Sequence, residues 1–334
     1  MVTARAVFTV LGTVSMAAVA WQYVMYPEQE ESPKQRKNVA ELLSESDAPV
    51  SPEFRGRSRI RLVSGACARS HPAKAHLCPE DSGSVPGLAS GGEDALFVSP
   101  RRVGVADGVG GYSAKNGRPL DVMNFSRQLC RGMLDSDRHD LRDVLKEAYA
   151  QVDYDLVGGS TAVMAEIDTD AESKLKILNL GDSGLLLVRE GKVFFATKAQ
   201  TFCFDGPFQL GPRSLSRRGY SEQHAFVTSI DVQDGDLCVV ASDGILDNLR
   251  TDDIVRLIEE RLETTTAQSA HVLAQAAHDI VVYTQDTVAV DPQADTPYAR
   301  EATAAGRRYL GGKLDDCALI IARVTAAPET ISAL

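Results

Sequence analysis

Three acidic positions stand in the same local setting. In the runs ending Val105-Ala106-Asp107-Gly108, Ala241-Ser242-Asp243-Gly244 and Lys313-Leu314-Asp315-Asp316, a strand-like stretch stops, an aspartate follows, and glycine or a second aspartate comes next. A carboxylate at a strand end is held by the sheet yet projects into the open, and a neighbouring glycine lets a backbone carbonyl approach a ligand closely. If these ends converge, each pair of like charges at 4 Å costs about 4 kcal/mol at an effective dielectric near 20. A cation relieves such crowding, and oxygen ligands without histidine or cysteine select Mg2+, Mn2+ or Ca2+ over zinc. A lone Asp-Gly is ordinarily a turn. The joint pattern is harder to dismiss, because Gly91-Gly92-Glu93-Asp94 precedes the first aspartate, and Gly158-Gly159-Ser160-Thr161-Ala162 and Asn179-Leu180-Gly181-Asp182-Ser183 lie between the first and the second.

The elements that must hold these residues are short apolar runs bounded by polar residues or glycine: 95–98, 103–106, 161–167, 175–180, 185–188, 193–196, 237–241 and 317–324 read as strands. Helical period appears in Val122, Phe125, Leu129 and Met133 after Pro119, and again in Leu141, Val144, Leu145, Ala148 and Val152. Two more helices are predicted, one opening at Thr251 with Ile254, Leu257 and Ile258 on one face, the other carrying Leu273, Ala276, Ala277 and Ile280. Strands, a helical pair, more strands, a second helical pair and a last strand follow one another. Clustering of this kind predicts an α+β layered domain rather than a doubly wound parallel sheet.

The 334 residues carry a net charge of -11, which argues against nucleic acid as the principal partner, because phosphate backbones are bound by lysine and arginine. Six cysteines, scattered without a C-x-x-C pair, predict reduced thiols and neither a zinc site nor a disulfide framework. From Ala6 to Tyr26 no residue carries a formal charge, so residues 1–26 read as a targeting segment or a membrane anchor. Residues 27–57 mix both charges with proline and serine and read as a linker. The folded domain is expected over 58–326, with 327–334 as a tail.

The ordered set ED, DGxGG, GSTA, GDS, SDG and DD resembles the type 2C (PPM) metal-dependent serine/threonine protein phosphatases, from about Glu93 to Val324. That resemblance implies a central antiparallel β-sandwich flanked by helices in four layers, αββα, with a binuclear Mn2+ or Mg2+ site at one end. It implies that Asp107 bridges both ions, that the Gly108 carbonyl binds one, and that Asp243 and Asp315 bind the other. Glu93 and Asp94 would hold metal-bound waters, and Asp182 matches an aspartate of a weaker third metal site. The activity implied is hydrolysis of phosphoserine and phosphothreonine in phosphoprotein substrates by a metal-bound water, whose pKa two cations lower from 15.7 toward about 7. DGVGG, NLGDSG, Pro207-Phe208-Gln209-Leu210 and GGKLDD are similar to the branch associated with mitochondria, which implies a matrix or inner-membrane location. The alternative is another membrane, held by an uncleaved anchor through residues 6–26.

Two positions depart from the family. Val109 stands where many members carry a histidine, a candidate general acid, and Ala89 where many carry an arginine for the substrate phosphate. Arg57, Arg59, Arg61, Arg101 and Arg102 are the available substitutes. These departures leave a second reading, a catalytically silent domain of the same fold that binds a partner. A third, a Ca2+-binding acidic domain, lacks the D-x-D-x-D-G spacing of a local calcium loop.

Overall fold

Strands that are apolar at successive positions need cover on both faces. In the computed structural model, which describes residues 39–44, 58–77, 85–111, 118–214, 220–263 and 269–326, they find it in each other and in helices. Met1–Arg36 and Lys37–Leu334 separate as two units, and every described residue belongs to the second. In chain order its strands are β1 (Val39–Ser44), β2 (Ile60–Arg69), β3 (Leu88–Gly91), β4 (Asp94–Val98), β5 (Arg102–Ala106), β6 (Ala162–Ile167), β7 (Lys174–Leu180), β8 (Gly184–Arg189), β9 (Lys192–Ala196), β10 (Thr201–Cys203), β11 (Gly206–Pro207), β12 (Phe226–Asp231), β13 (Leu237–Ala241) and β14 (Cys317–Ala326). The α-helices are α1 (Pro119–Asp135), α2 (Leu141–Gln151), α3 (Asp243–Leu246), α4 (Thr251–Glu263), α5 (Ala270–Tyr283) and α6 (Pro297–Ala304).

Two six-stranded antiparallel sheets form, in the orders β1-β2-β14-β13-β8-β9 and β12-β7-β6-β5-β4-β3. Between them lies a core that includes Leu62, Leu96, Val105, Val163, Ile177, Leu185, Val240 and Ile320. Outside the first sheet, Ile254, Leu257 and Ile258 of α4 and Leu273, Ala277 and Ile280 of α5 pack on Val239, Leu319 and Ile321. Outside the second, Phe125, Leu129 and Met133 of α1 and Leu145 and Ala148 of α2 pack on Phe97, Met164 and Leu178. The arrangement is the αββα sandwich expected. Gly65 lets α5 cross β2 at backbone contact, since a Cβ there would lie 2.0 Å from the Ala274 nitrogen.

Register explains why the acidic loops meet. In the first sheet Ala241, at the end of β13, pairs with Leu319 near the start of β14 and with Gly184 at the start of β8. In the second, Ala106 at the end of β5 pairs with Ala95 at the start of β4, and Ala162 at the start of β6 pairs with Leu180 at the end of β7. The connection from β7 to β8 passes from one sheet to the other at this same end, and it carries Asp182.

The stretch 27–57, expected as a linker, contributes β1, which pairs with β2 from Val39↔Arg69 to Ser44↔Ser64. The strand reads VAELLS, apolar at four of six positions, but it stands among charged, proline and serine residues that give the stretch its linker-like composition. The segment 1–26, including the anchor expected over 6–26, and the tail 327–334 lie outside the described residues. Among the described residues no helix is long and apolar enough to cross a membrane.

Candidate metal centre

Asp107 follows β5, and its backbone is fixed from both sides: its N–H donates to Thr161 Oγ1 (3.2 Å) and its carbonyl accepts from the Thr161 N–H (2.9 Å). The next residue, Gly108, bridges to Ser160, and its N–H donates to the Glu93 carbonyl (3.1 Å). Ser126 Oγ, on α1, donates to that same carbonyl at 2.5 Å. The Glu93-Asp94 pair is thereby tied to the Asp107-Gly108 pair through the backbone. Gly92, at φ +65°, makes the turn into β4, and a Cβ there would stand 2.0 Å from Asp316 Oδ1.

Asp243 opens α3 directly after β13. Four residues on, Asp247 lies on the same helical face, and both carboxylates accept from Lys313 Nζ, at 2.8 and 2.7 Å. Asp315 Oδ2 is 3.4 Å from that ammonium, and Asp205, at the tip of the β10–β11 hairpin, is 3.6 Å away. Asn248 clamps the lysine's backbone: its Oδ1 accepts from the Lys313 N–H (2.8 Å), and its Nδ2 donates to the Lys313 carbonyl (2.7 Å). Gln285, in the π-helical segment Thr284–Val288 after α5, donates Nε2–H to the Asp315 carbonyl at 2.7 Å.

Asp316 behaves differently from Asp315. Its Oδ1 accepts from the His71 N–H (2.6 Å), and its Oδ2 from the Glu93 N–H (3.0 Å) and Lys74 Nζ (2.6 Å). Lys74, in the 3-10 segment Pro72–Leu77, also donates to Glu93 Oε2 at 2.5 Å.

The centre thus gathers every acidic residue expected of it: Glu93, Asp94, Asp107, Asp182, Asp243 and Asp315, with Gly108. It adds Asp247 and Lys74, which sequence reasoning missed, and Lys313 and Asp316, which stood in the GGKLDD run without an assigned role. Asp247 was legible in principle, since residues i and i+4 share a helix face. Lys74 lies in a short 3-10 segment without a periodic signal, and Lys313 lies in the GGKLDD run, whose spacing shows no contact with Asp243 or Asp247.

Electrostatics follow from crowding. Burial, and then repulsion from neighbouring aspartates, lifts Asp94 and Asp107 well above the usual carboxylate range, and lifts Asp182 and Asp315 to about 7. Asp247 is raised by burial and by Asp243. Burial pushes Asp243 up as well, but the Lys313 ammonium, together with hydrogen bonds from Lys313, Asp107 and the Gly244 N–H, holds this carboxyl below its ordinary value. Burial works against the charge of Lys313 and Lys74, yet their carboxylate partners raise both above an ordinary lysine.

Among the described residues no three acidic, histidine or cysteine side chains already form an ion's ligand set. The donors nevertheless suit hard divalent cations: they are all oxygens, and Asp94 Oδ2 and Asp182 Oδ1 are buried with no hydrogen-bond partner among the described residues. The arginines considered for the substrate phosphate are engaged elsewhere. Arg101 and Arg102 hold Glu166 beside the far end of β5, Arg61 binds Thr325 at the far end of β14, and Arg59 faces Glu172. Arg57 lies outside the described residues.

Comparisons with known proteins show which family the chain resembles. A family model described as stage II sporulation protein E (SpoIIE) matches residues 103–325. The chain is 33% identical to probable protein phosphatase 2C 80 of Arabidopsis thaliana over 80% of its own length, and it spans 60% of that relative. It is also 33% identical to protein phosphatase 2C homolog 7, mitochondrial, of Saccharomyces cerevisiae, covering 70% of this chain and 74% of the yeast protein. Among solved structures, the photosystem II phosphatase PBCP superposes with a TM-score of 0.64 at 30% identity, covering 78% of this chain and 98% of that one.

Proposed function

The chain belongs to the type 2C (PPM) family of metal-dependent serine/threonine protein phosphatases, and from that premise we propose that Asp107, the Gly108 carbonyl, Asp243 and Asp315 hold two Mg2+ or Mn2+ ions. Asp182, with Asp243 and Asp247 beside it, would serve a third ion, and Glu93 and Asp94 would orient bound water. The observation that carries this reading is the gathering of these carboxylates, from separate strand ends of both sheets, into one cluster whose members raise one another's pKa. When bound, the cations supply an activated water and positive charge for the phosphoryl oxygens.

The chain's own part is to hold the ligands before the ions arrive. Ser126 and the Gly108 amide fix Glu93, Asn248 fixes the loop before Asp315, and Gln285 fixes the Asp315 carbonyl. Val109, in the place of the family's histidine, bonds through its backbone, N–H to the Gly159 carbonyl at 2.9 Å, and offers no imidazole proton to the leaving alkoxide. The net charge of -11 repels a phosphoprotein at long range, so attraction of the substrate depends on the local field of the ions and the two lysines.

Binding of Mn2+ by the full-length chain, followed by calorimetry, tests the ligand assignment. Asp243→Asn should abolish turnover and weaken Mn2+ binding with the fold retained, while Asp182→Asn slows turnover and keeps the tighter sites. Equal activity of Asp243→Asn and the parent would refute the assignment. Phosphoproteins of mitochondria are the substrates this reading favours, supported by the yeast relative's name. Recovery of the tagged protein outside mitochondria after cell fractionation would refute the location.

A further inference from the structure

The family's arginine position is Ala89, on β3, and its side chain packs against the core between the sheets. Nothing charged can act from there. A cation that grips the substrate's phosphoryl group must come from another segment, reach the rim of the acidic cluster, and keep its anchor when divalent ions bind.

Lys74 meets these three requirements. It comes from the 3-10 segment Pro72–Leu77, and its side chain is 28% exposed, whereas its partners Glu93 and Asp316 are 2% and 3% exposed. The ammonium therefore sits at the mouth of the site on a buried acidic base. Its segment is pinned to that base independently, because Asp316 accepts from the His71 N–H three residues earlier and from the Glu93 N–H. Neither anchor is a direct metal ligand in the reading above, so bound ions leave both in place. Lys313 fails on this last requirement, since its partners Asp243 and Asp315 are themselves the proposed ligands and cations there would repel its ammonium. Arg69, at the same end of β2, fails on reach: its side chain is 11% exposed, against 28% for Lys74, and is turned to Asp286 at 2.9 Å.

We propose that Lys74 binds the phosphoryl group of the phosphoserine or phosphothreonine substrate, anchored by Glu93 and Asp316, and takes the role of the arginine that Ala89 replaces. The inference rests on the phosphatase reading and names a substrate-contacting residue within it. An ammonium offers one compact charge where guanidinium offers a planar fork, so orientation of the phosphate falls more heavily on the metal site.

The test uses the full chain loaded with Mn2+, inorganic phosphate as probe, and the variants K74M, K74R and K313M. Removing a charge-assisted hydrogen bond of this kind weakens binding by about 10-fold or more. Calorimetry should therefore show phosphate binding at least about 10-fold weaker in K74M, with KM for a phosphothreonine peptide raised alongside. Mn2+ stoichiometry should be unchanged, and K74R should recover most of the loss. If K74M does not fold, K74Q keeps N–H donors to Glu93 and Asp316 without the charge and reads the same quantity. Unchanged phosphate binding and KM in a variant that binds Mn2+ normally would overturn the inference. So would loss in K313M alone, or loss of Mn2+ in K74M that K74R does not restore. Lys74-dependent phosphate binding without Mn2+-dependent hydrolysis would sustain the inference and sink the phosphatase reading, and hydrolysis indifferent to Lys74 would do the reverse.

Discussion

Asp315 and Asp316 are neighbours with different partners. Asp315 faces Lys313 and the other proposed ligands, while Asp316 is saturated by two backbone N–H groups and the Lys74 ammonium. Substitution should separate them. Asp316→Asn removes a buried, charge-assisted acceptor and should cost about 1.5–3 kcal/mol of stability in urea denaturation. Asp315→Asn should leave the metal-free fold at least as stable as the parent, because it removes a like charge from the cluster, and should instead weaken Mn2+ binding. Equal destabilisation by the two would contradict this division of roles. The doubled aspartate was visible in the sequence, but which member faces the ions was not, since that depends on His71 and the 3-10 segment after it, which carries Lys74, arriving from far along the chain.

At the level of elements, legibility followed the strength of local pattern. The strand-like runs before Asp107 and Asp243 are β5 and β13, whereas Asp315 follows a loop and precedes β14, and the four periodic segments are α1, α2, α4 and α5. β2 escaped notice because Ile60–Arg69 lies between β1 and β14 and is buried without a break from Ser64 to Ala68, where small residues replace the alternation of its first residues. The π-helical segment that positions Gln285 is set by tertiary contacts, and such single-turn departures from α-helix recur at functional sites. The close crossing of α5 on β2 yields a prediction of its own. Gly65→Val should destabilise the protein by about 1–3 kcal/mol or more, because a side chain there would meet the α5 backbone. A melting temperature equal to the parent's would refute that packing.

For the whole molecule, the acidic centre sets how stability depends on pH. Asp94, Asp107, Asp182, Asp247 and Asp315 have folded-state pKa values above their unfolded ones, about 7 for Asp182 and Asp315. Between roughly pH 4 and 7 the folded state therefore binds more protons than the unfolded state, and this cluster's contribution to stability falls as pH rises through that window. Asp243 works in the opposite sense, losing its contribution as pH falls below the ordinary carboxylate value, and it is one group against five. The chelated protein should accordingly melt at lower temperature at pH 7.5 than at pH 5.5. Mn2+ should flatten the difference by taking the place of the protons. A chelated protein that gains stability over the same range would contradict the account of the cluster.

The most direct measurement is hydrolysis of a phosphothreonine peptide by the full chain after chelation, titrated with Mn2+ and with Mg2+ beside the Asp107→Asn protein. The account predicts no turnover without metal, activity restored by either ion, and none in Asp107→Asn at the ion concentration that saturates the parent. Full activity in the chelated enzyme, or an Asp107→Asn protein as active as the parent, would contradict it.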